Sequence, residues 1–202
     1  MLLYIPNEEH EHLLFFDTEF DNQKLVQISI IHYNKIKIND MTTYLLEGSI
    51  NVYIDRHISE FFINHTGITP EYLTKQGVTQ KEAVDIVNKF LWALNNKQTL
   101  LISHGVNQDA IILETAGIKI NYMQRYCTHN NAKRILNRDK CLKLIDICNE
   151  SGYYTDQHDA YTDAKNTIHA FSYLKLVEHL KEVPKWRDSI LQQKKLRWWM
   201  TT

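Results

Sequence analysis

The sequence predicts an α/β domain, a mixed β-sheet flanked by α-helices. Three observations predict it. Strand-like apolar runs crowd into the first fifty or so residues, and one more short apolar run, Thr99–His104, falls between two helical patterns. A long stripe of apolar residues at helical spacing then runs from Ala160 to Leu180. No internal repeat, low-complexity tract or linker interrupts the chain, and only three prolines and six glycines agree with one compact unit.

The first element is Leu13-Leu14-Phe15-Phe16, four consecutive apolar residues that read as a strand buried on both faces and running into Asp17-Thr18-Glu19-Phe20. After a turn at Asp21-Asn22-Gln23, Leu25–Tyr33 reads as a second strand, with Val26, Ile28 and Ile30 alternating against Gln27, Ser29 and Ile31. Asn34 is expected to turn tightly into a third strand, Ile36–Leu46, closed by Glu47-Gly48-Ser49. Helical patches follow around 55–63 and 70–76, the second with Thr69 as N-cap and Pro70 at the first helical position. Val78–Leu94 carries Ala83, Val87, Phe90, Leu91 and Leu94 at helical spacing behind a Thr79/Glu82 capping box. Beyond the Thr99–His104 strand, Asn107–Ala116 reads as a helix stopped by Gly117. The segment 121–150 reads as one strand and two helices, with Cys141 and Cys148 on one face of the second. Gly152-Tyr153-Tyr154 is a loop. The final helix places Ala164, Ile168, Phe171, Leu174 and Val177 on one stripe.

Composition narrows the function classes. At 202 residues, with 44% hydrophobic and 23% charged residues, the chain is an ordinary soluble globular domain. A net charge of −1 gives no global pull toward nucleic acid, so such binding would need a local basic patch, metals or both. Three cysteines without CxxC spacing argue against a zinc site or a disulfide framework and fit a reducing cytosol. Met1–His12 is short and acidic for a signal peptide, and no apolar run reaches membrane-spanning length. The expectation is a soluble, intracellular, cytoplasmic protein with no membrane partner.

Chemistry concentrates in three packets. Strand side chains alternate, so Asp17 and Glu19 point the same way. Two such carboxylates repel, and burying them is costly unless a cation intervenes; Mg²⁺ or Mn²⁺, which prefer oxygen ligands, suit that place. Asp109, in His104-Gly105-Val106-Asn107-Gln108-Asp109, falls in the first turn of a helix where the macrodipole favours an anion. In His158-Asp159-Ala160-Tyr161-Thr162-Asp163, a cap at Asp159 would leave His158 on the preceding loop, free to swing over Asp163. Taken singly, each packet reads more simply: a solvated acidic turn, an N-terminal helix carboxylate, an exposed loop histidine. Together they are a set able to perform two-metal phosphoryl hydrolysis, with an imidazole of pKa about 6.5 to take a proton from water.

The ordered packets Phe16-Asp17-Thr18-Glu19, His104–Asp109 and His158–Ala164 resemble the three motifs of the DEDDh 3′–5′ exonucleases, the superfamily of bacterial proofreading subunits and ribonuclease T. Asn64-His65-Thr66-Gly67-Ile68-Thr69 and the stretch Cys141–Gly152 are similar to connecting segments of that family, and the likeness spans roughly residues 12–178. The resemblance implies a ribonuclease-H-like fold and two divalent cations, Mg²⁺ or Mn²⁺, held by Asp17, Glu19, Asp109 and Asp163. It implies His158 as general base, and single-stranded DNA or RNA 3′ ends as substrate, cut to nucleoside 5′-monophosphates. Thr18 and Phe20 would border the 3′-terminal nucleotide, Phe20 as stacking surface or wedge, and His104 matches a histidine that is structural more than catalytic. The chain departs from the family pattern at Gly105, Gln108 and Asp21-Asn22, which edge the substrate cleft and remove no metal ligand. A non-catalytic or partner-dependent nucleic-acid-binding subunit on the same fold is the rival expectation.

The domain is expected to cover residues 1–180, with 181–202 as a basic, tryptophan-bearing helical extension. That extension holds six Lys or Arg against two acidic residues, a net +4, with Trp186, Trp198 and Trp199 interleaved. Such a segment can hold a single strand by charge and stacking. The preferred reading is an amphipathic helix that covers the core or a dimer mate, which leaves a homodimer open; an accessory subunit acting with a polymerase or processing partner is a separate alternative.

Overall fold

The computed structural model describes residues 1–39, 41–153 and 158–182. In chain order its elements are Leu2–Leu3 (β1), His12–Asp21 (β2), Lys24–Ile38 (β3), Met41–Tyr53 (β4), Glu60–Thr66 (α1), Pro70–Gln76 (α2) and Gln80–Leu91 (α3). Thr99–Ser103 (β5), Val106–Ala116 (α4), Gln124–Cys127 (β6), Thr128–Ile135 (α5), Leu144–Glu150 (α6) and Ala160–Glu182 (α7) follow. The strands form one mixed sheet in the order β1-β4-β3-β2-β5-β6. β1 to β4 are antiparallel neighbours, and β2–β5 and β5–β6 pair in parallel. This is the ribonuclease-H-like α/β architecture expected from the sequence. Among the described residues no helix is long and apolar enough to cross a membrane.

Strand β2 is central, and its alternation divides the core. Leu14 and Phe16 pack with Ile28, Ile30, Val87, Leu91, Ala110 and Leu113 on the α3/α4 side. Leu13 and Phe15 pack with Tyr33, Tyr44, Ala164, Ile168 and Phe171 on the α7 side. All four β2 residues are fully buried, which accounts for the uninterrupted apolar run. Farther along α7, Ala170 and Leu174 close a second packing layer with α5 and α6.

Helix ends follow local chemistry. Thr79 and Glu82 form the reciprocal capping box of α3, and Thr69 caps α2 with Pro70 at its first position. Gly117 ends α4 at φ 100°, a left-handed conformation that only glycine adopts freely.

Three expectations are corrected. Asn34 does not turn: β3 runs through it to Ile38, and the hairpin reverses at Asn39, whose φ is 46°. Glu47-Gly48-Ser49 does not close β4 but lies inside it, where the register shift opposite His32 and Tyr33 leaves Glu47 as an extra residue. Cys141 precedes α6 and is exposed, whereas Cys148 is buried within it, so the two do not share a helix face. Helix α7 continues through Lys181 and Glu182; Tyr154 and the expected extension from 183 onward lie outside the described residues.

Candidate active site

Past Phe16 the alternation of β2 continues, and it now carries polar residues. Asp17 and Glu19 fall on the α7 face; Thr18 falls on the other. Across the sheet, Asp17 is opposite Ser29 and Glu19 opposite Gln27 on β3; on β4, Asn51 is opposite Ser29 and Tyr53 opposite Gln27. Two polar rows therefore cross three strands beneath the start of α7. The ladder then shifts register between Glu19 and Phe20.

The first turn of α7 meets this surface. Asp163 joins Asp17 and Glu19 in a group whose ligand oxygens all lie within 4.8 Å of one another. Burial is the main force lifting the carboxyl pKa of all three. Asp17 is held well above the ordinary carboxylate range by burial and then by repulsion from Asp109, Asp163 and Glu19. Glu19 is pushed up to about 7 by burial, then by Asp163, Asp159 and Asp109. Asp163 is raised by burial, partly offset by the bonds it accepts from the His158 backbone N–H and from Asn166. Among the described residues, none of the three forms an ion pair with Lys or Arg. All-oxygen, mutually repelling and, among the described residues, without a Lys or Arg partner, this donor set fits a hard divalent cation.

Asp109 stands just outside that group. It is only 7% exposed, and it accepts hydrogen bonds from Thr18 Oγ1 at 2.8 Å and Ser103 Oγ at 2.5 Å. Burial lifts its pKa and these two hydroxyls oppose the lift. Its charge reaches Asp17 and Glu19, but the close cluster holds three carboxylates rather than four. Thr18, expected at the substrate border, spends its hydroxyl on Asp109 and is buried. Phe20, expected as a stacking surface, is half-buried and packs against the α3/α4-side core. His104 has its Nδ1 at 3.0 Å from Thr128 Oγ1 and its ring against His129, and burial pushes its pKa down to about 4. Its partners lie at the β6–α5 junction, outside the carboxylate group.

His158 lies beside Asp163. Its backbone N–H donates to Asp163 Oδ2 at 3.2 Å, and its φ is 77°, a conformation uncommon for a residue with a Cβ. Asp159 caps α7 by accepting from the Thr162 N–H and hydroxyl, as the sequence suggested. The His158 side chain is exposed, and its ring centroid is 4.4 Å from that of His65, which in turn stacks nearly parallel to Phe61. Phe61, 78% exposed, thus starts a run of rings that ends at His158, whose backbone is bonded to Asp163. Helix α1, which carries Phe61 and His65, is tied to the end of β2: Asp21 accepts from the Ser59 N–H at 2.7 Å and its hydroxyl at 2.8 Å. Sequence reasoning missed Phe61, His65 and this use of Asp21. An aromatic and a histidine four apart in front of the Thr66-Gly67 helix stop were the available signal.

A family profile described as Exonuclease, of the RNase T type, matches residues 14–171. The chain belongs to the exonuclease family. No curated protein matches this exonuclease-family chain by sequence at a significant level. Solved structures do match its fold. E. coli exonuclease I in complex with an oligonucleotide is 16% identical at a TM-score of 0.59, over 85% of this chain and 43% of that one. Cell-death related nuclease 4 is 15% identical at 0.60, over 85% of this chain and 65% of that one. A 3′-exonuclease described in 3′-end specific recognition of a histone mRNA stem-loop is 13% identical at 0.56, over 84% and 64%. In each case the chain spans less than two thirds of its neighbour's length.

Proposed function

We propose that this chain is a metal-dependent 3′–5′ exonuclease that hydrolyses phosphodiester bonds at free 3′ ends of single-stranded DNA or RNA and releases nucleoside 5′-monophosphates. The observation that carries the reading is the Asp17–Glu19–Asp163 group, with three carboxylate oxygens within 4.8 Å of one another and, among the described residues, no Lys or Arg paired with any of them. A pure binding module would gain nothing from keeping three half-buried, mutually repelling carboxyls together. Mg²⁺ or Mn²⁺ bound there would activate water and stabilise the leaving oxygen of an in-line displacement.

The chain's own residues would divide the remaining work. Asp17, Glu19 and Asp163 hold the cations. Asp109 is the fourth acidic member: each of its oxygens accepts one hydroxyl bond and keeps a second lone pair. His158 takes the proton from the attacking water, its loop held against Asp163 by the backbone bond. Thr18 positions Asp109 and Phe20 supports the strand from behind, while Phe61 offers the open ring on which an incoming base can stack. The complex of one structural neighbour with an oligonucleotide, and the recognition of a histone mRNA stem-loop by another, support a nucleic-acid substrate.

The test is incubation with Mn²⁺ and matched 5′-labelled DNA and RNA oligonucleotides. The expected result is a ladder shortening from the 3′ end that a bulky 3′ block abolishes. Internal cuts in the blocked strand, or no cutting of either polymer, would overturn the proposal.

A further inference from the structure

Gln27 is a polar side chain in the middle of the sheet with no exposure to solvent, and every polar atom of its amide is engaged. Its Nε2 donates to Asn51 Oδ1 at 2.9 Å and to Asp159 Oδ1 at 2.8 Å. Its Oε1 accepts from the Ala160 N–H at 3.3 Å. Ser29 Oγ donates to the same Asn51 oxygen at 2.6 Å, which fixes the orientation of the Asn51 amide. The Tyr53 hydroxyl adds a longer bond to Asp159 at 3.4 Å. One amide therefore grips both the capping carboxylate and the first backbone N–H of α7. Asp159 uses its other oxygen to hold Thr162, and its carbonyl accepts the Asp163 N–H at 2.9 Å.

We propose that Gln27, locked by Asn51 and Ser29, is a positioning residue for the reaction: by clamping Asp159 and Ala160 to the sheet it sets where the His158–Asp163 turn stands over Asp17 and Glu19. The inference rests on the nuclease reading for its effect on rate, though the clamp is a matter of hydrogen bonding alone. The register explains why a β3 residue is suited to the task. Gln27 lies directly opposite Glu19, so the contact that locates α7 and the strand that carries the partner carboxylate share one row of the ladder. The arrangement is also directional. An amide both donates to a carboxylate and accepts from an N–H, whereas a carboxylate at the same place would face Asp159 with like charge.

Reciprocal exchange tests it in the full chain. Gln27→Glu sets two carboxylates against each other at the present 2.8 Å contact. Adding Asp159→Asn restores a donor–acceptor pair, and asparagine caps a helix as well as aspartate does. Two readouts are followed: hydrogen exchange of the Thr162 and Asp163 amides, and kcat and KM on a labelled oligonucleotide with Mn²⁺. In Gln27→Glu those amides should exchange about tenfold faster, the loss of roughly one good hydrogen bond. kcat should fall by about 10- to 100-fold with KM within about twofold, as expected of a displaced catalytic turn. The double variant should recover a large part of both, the remainder being the Asn51 oxygen that still faces a carboxylate in place of its amide donor. Should the single charge variant fail to fold, Gln27→Met, similar in volume and uncharged, carries the same expectation for exchange and kcat. Unchanged exchange at Thr162 and Asp163, or a double variant no better than the single one, overturns the proposal. Expected exchange behaviour in a wild-type chain that cuts no oligonucleotide would support the clamp and overturn the nuclease reading instead.

Discussion

Glu19→Gln should stabilise the metal-free protein while abolishing its activity. Burial and three carboxylate neighbours push the Glu19 carboxyl from its ordinary 4.5 to about 7, so the folded chain resists ionising it. At about 1.4 kcal/mol per pH unit, the rise corresponds to about 3 kcal/mol against the folded state at alkaline pH. Glu19 is only partly buried, and solvent screening lowers that to roughly 1–3 kcal/mol. The sign is fixed by proton uptake. Between about 4.5 and about 7 the folded state holds a proton that the unfolded state has released, so stability falls as pH rises through that window. Glutamine has the same shape and no charge to lose. For a domain of this size each kcal/mol moves Tm by about 2–4 °C, so Glu19→Gln in EDTA at pH 8 should melt about 2–12 °C above wild type. Near pH 4.5 the two should converge, and the variant should show a shallower fall in Tm with pH. Mn²⁺ should raise the wild-type Tm and move the variant less. Differential scanning fluorimetry across that pH range is sufficient. Equal Tm values in EDTA at pH 8, with parallel pH profiles, would refute the claim that this carboxylate is held under repulsion.

Asp17→Asn and Asp163→Asn should each eliminate turnover while leaving the circular dichroism spectrum unchanged; a wild-type rate in either would remove the metal assignment. His158→Ala should lower kcat by on the order of 100-fold and spare Mn²⁺ affinity, read by calorimetry beside single-turnover kinetics. Asp21→Ala should cost about 1–2 kcal/mol by releasing the Ser59 N–H and hydroxyl, seen as a lower midpoint in urea melts and earlier proteolysis near α1.

Much of this molecule could be read from local pattern. The Thr79/Glu82 box, the Thr69-Pro70 start and the Gly117 stop encode their geometry within four residues, and all appear as expected. The run Leu13–Phe16 announced a strand buried on both faces. The hairpin turn was misplaced because Asn34 and Asn39 are equally acceptable turn residues and the intervening arm is half-buried or exposed. Its pattern therefore carries little record of which one reverses. The three acidic packets were visible as chemistry, but whether four carboxylates would close as one group depended on which oxygens other side chains claimed. Thr18 and Ser103 claim Asp109 across 91 and 6 residues respectively. Gln27 and Ser29 stood out as polar residues alternating with Val26, Ile28 and Ile30. Their partners, however, lie 22 to 133 residues away, at distances no periodicity reports.

The parallel partner of β2 stops early. β5 pairs only with His12–Phe15, so from Phe16 to Asp21 the strand is laddered to β3 alone. The edge that β5 leaves is covered by the start of α4: Phe16 is fully buried, Thr18 is 5% exposed, and the Thr18 hydroxyl donates to Asp109. Asp17 and Glu19 stand on that very stretch. The strand thus exchanges a ladder partner for side-chain partners just where it turns acidic: Thr18 reaches Asp109 on one face, and Asp17 and Glu19 meet Asp163 on the other.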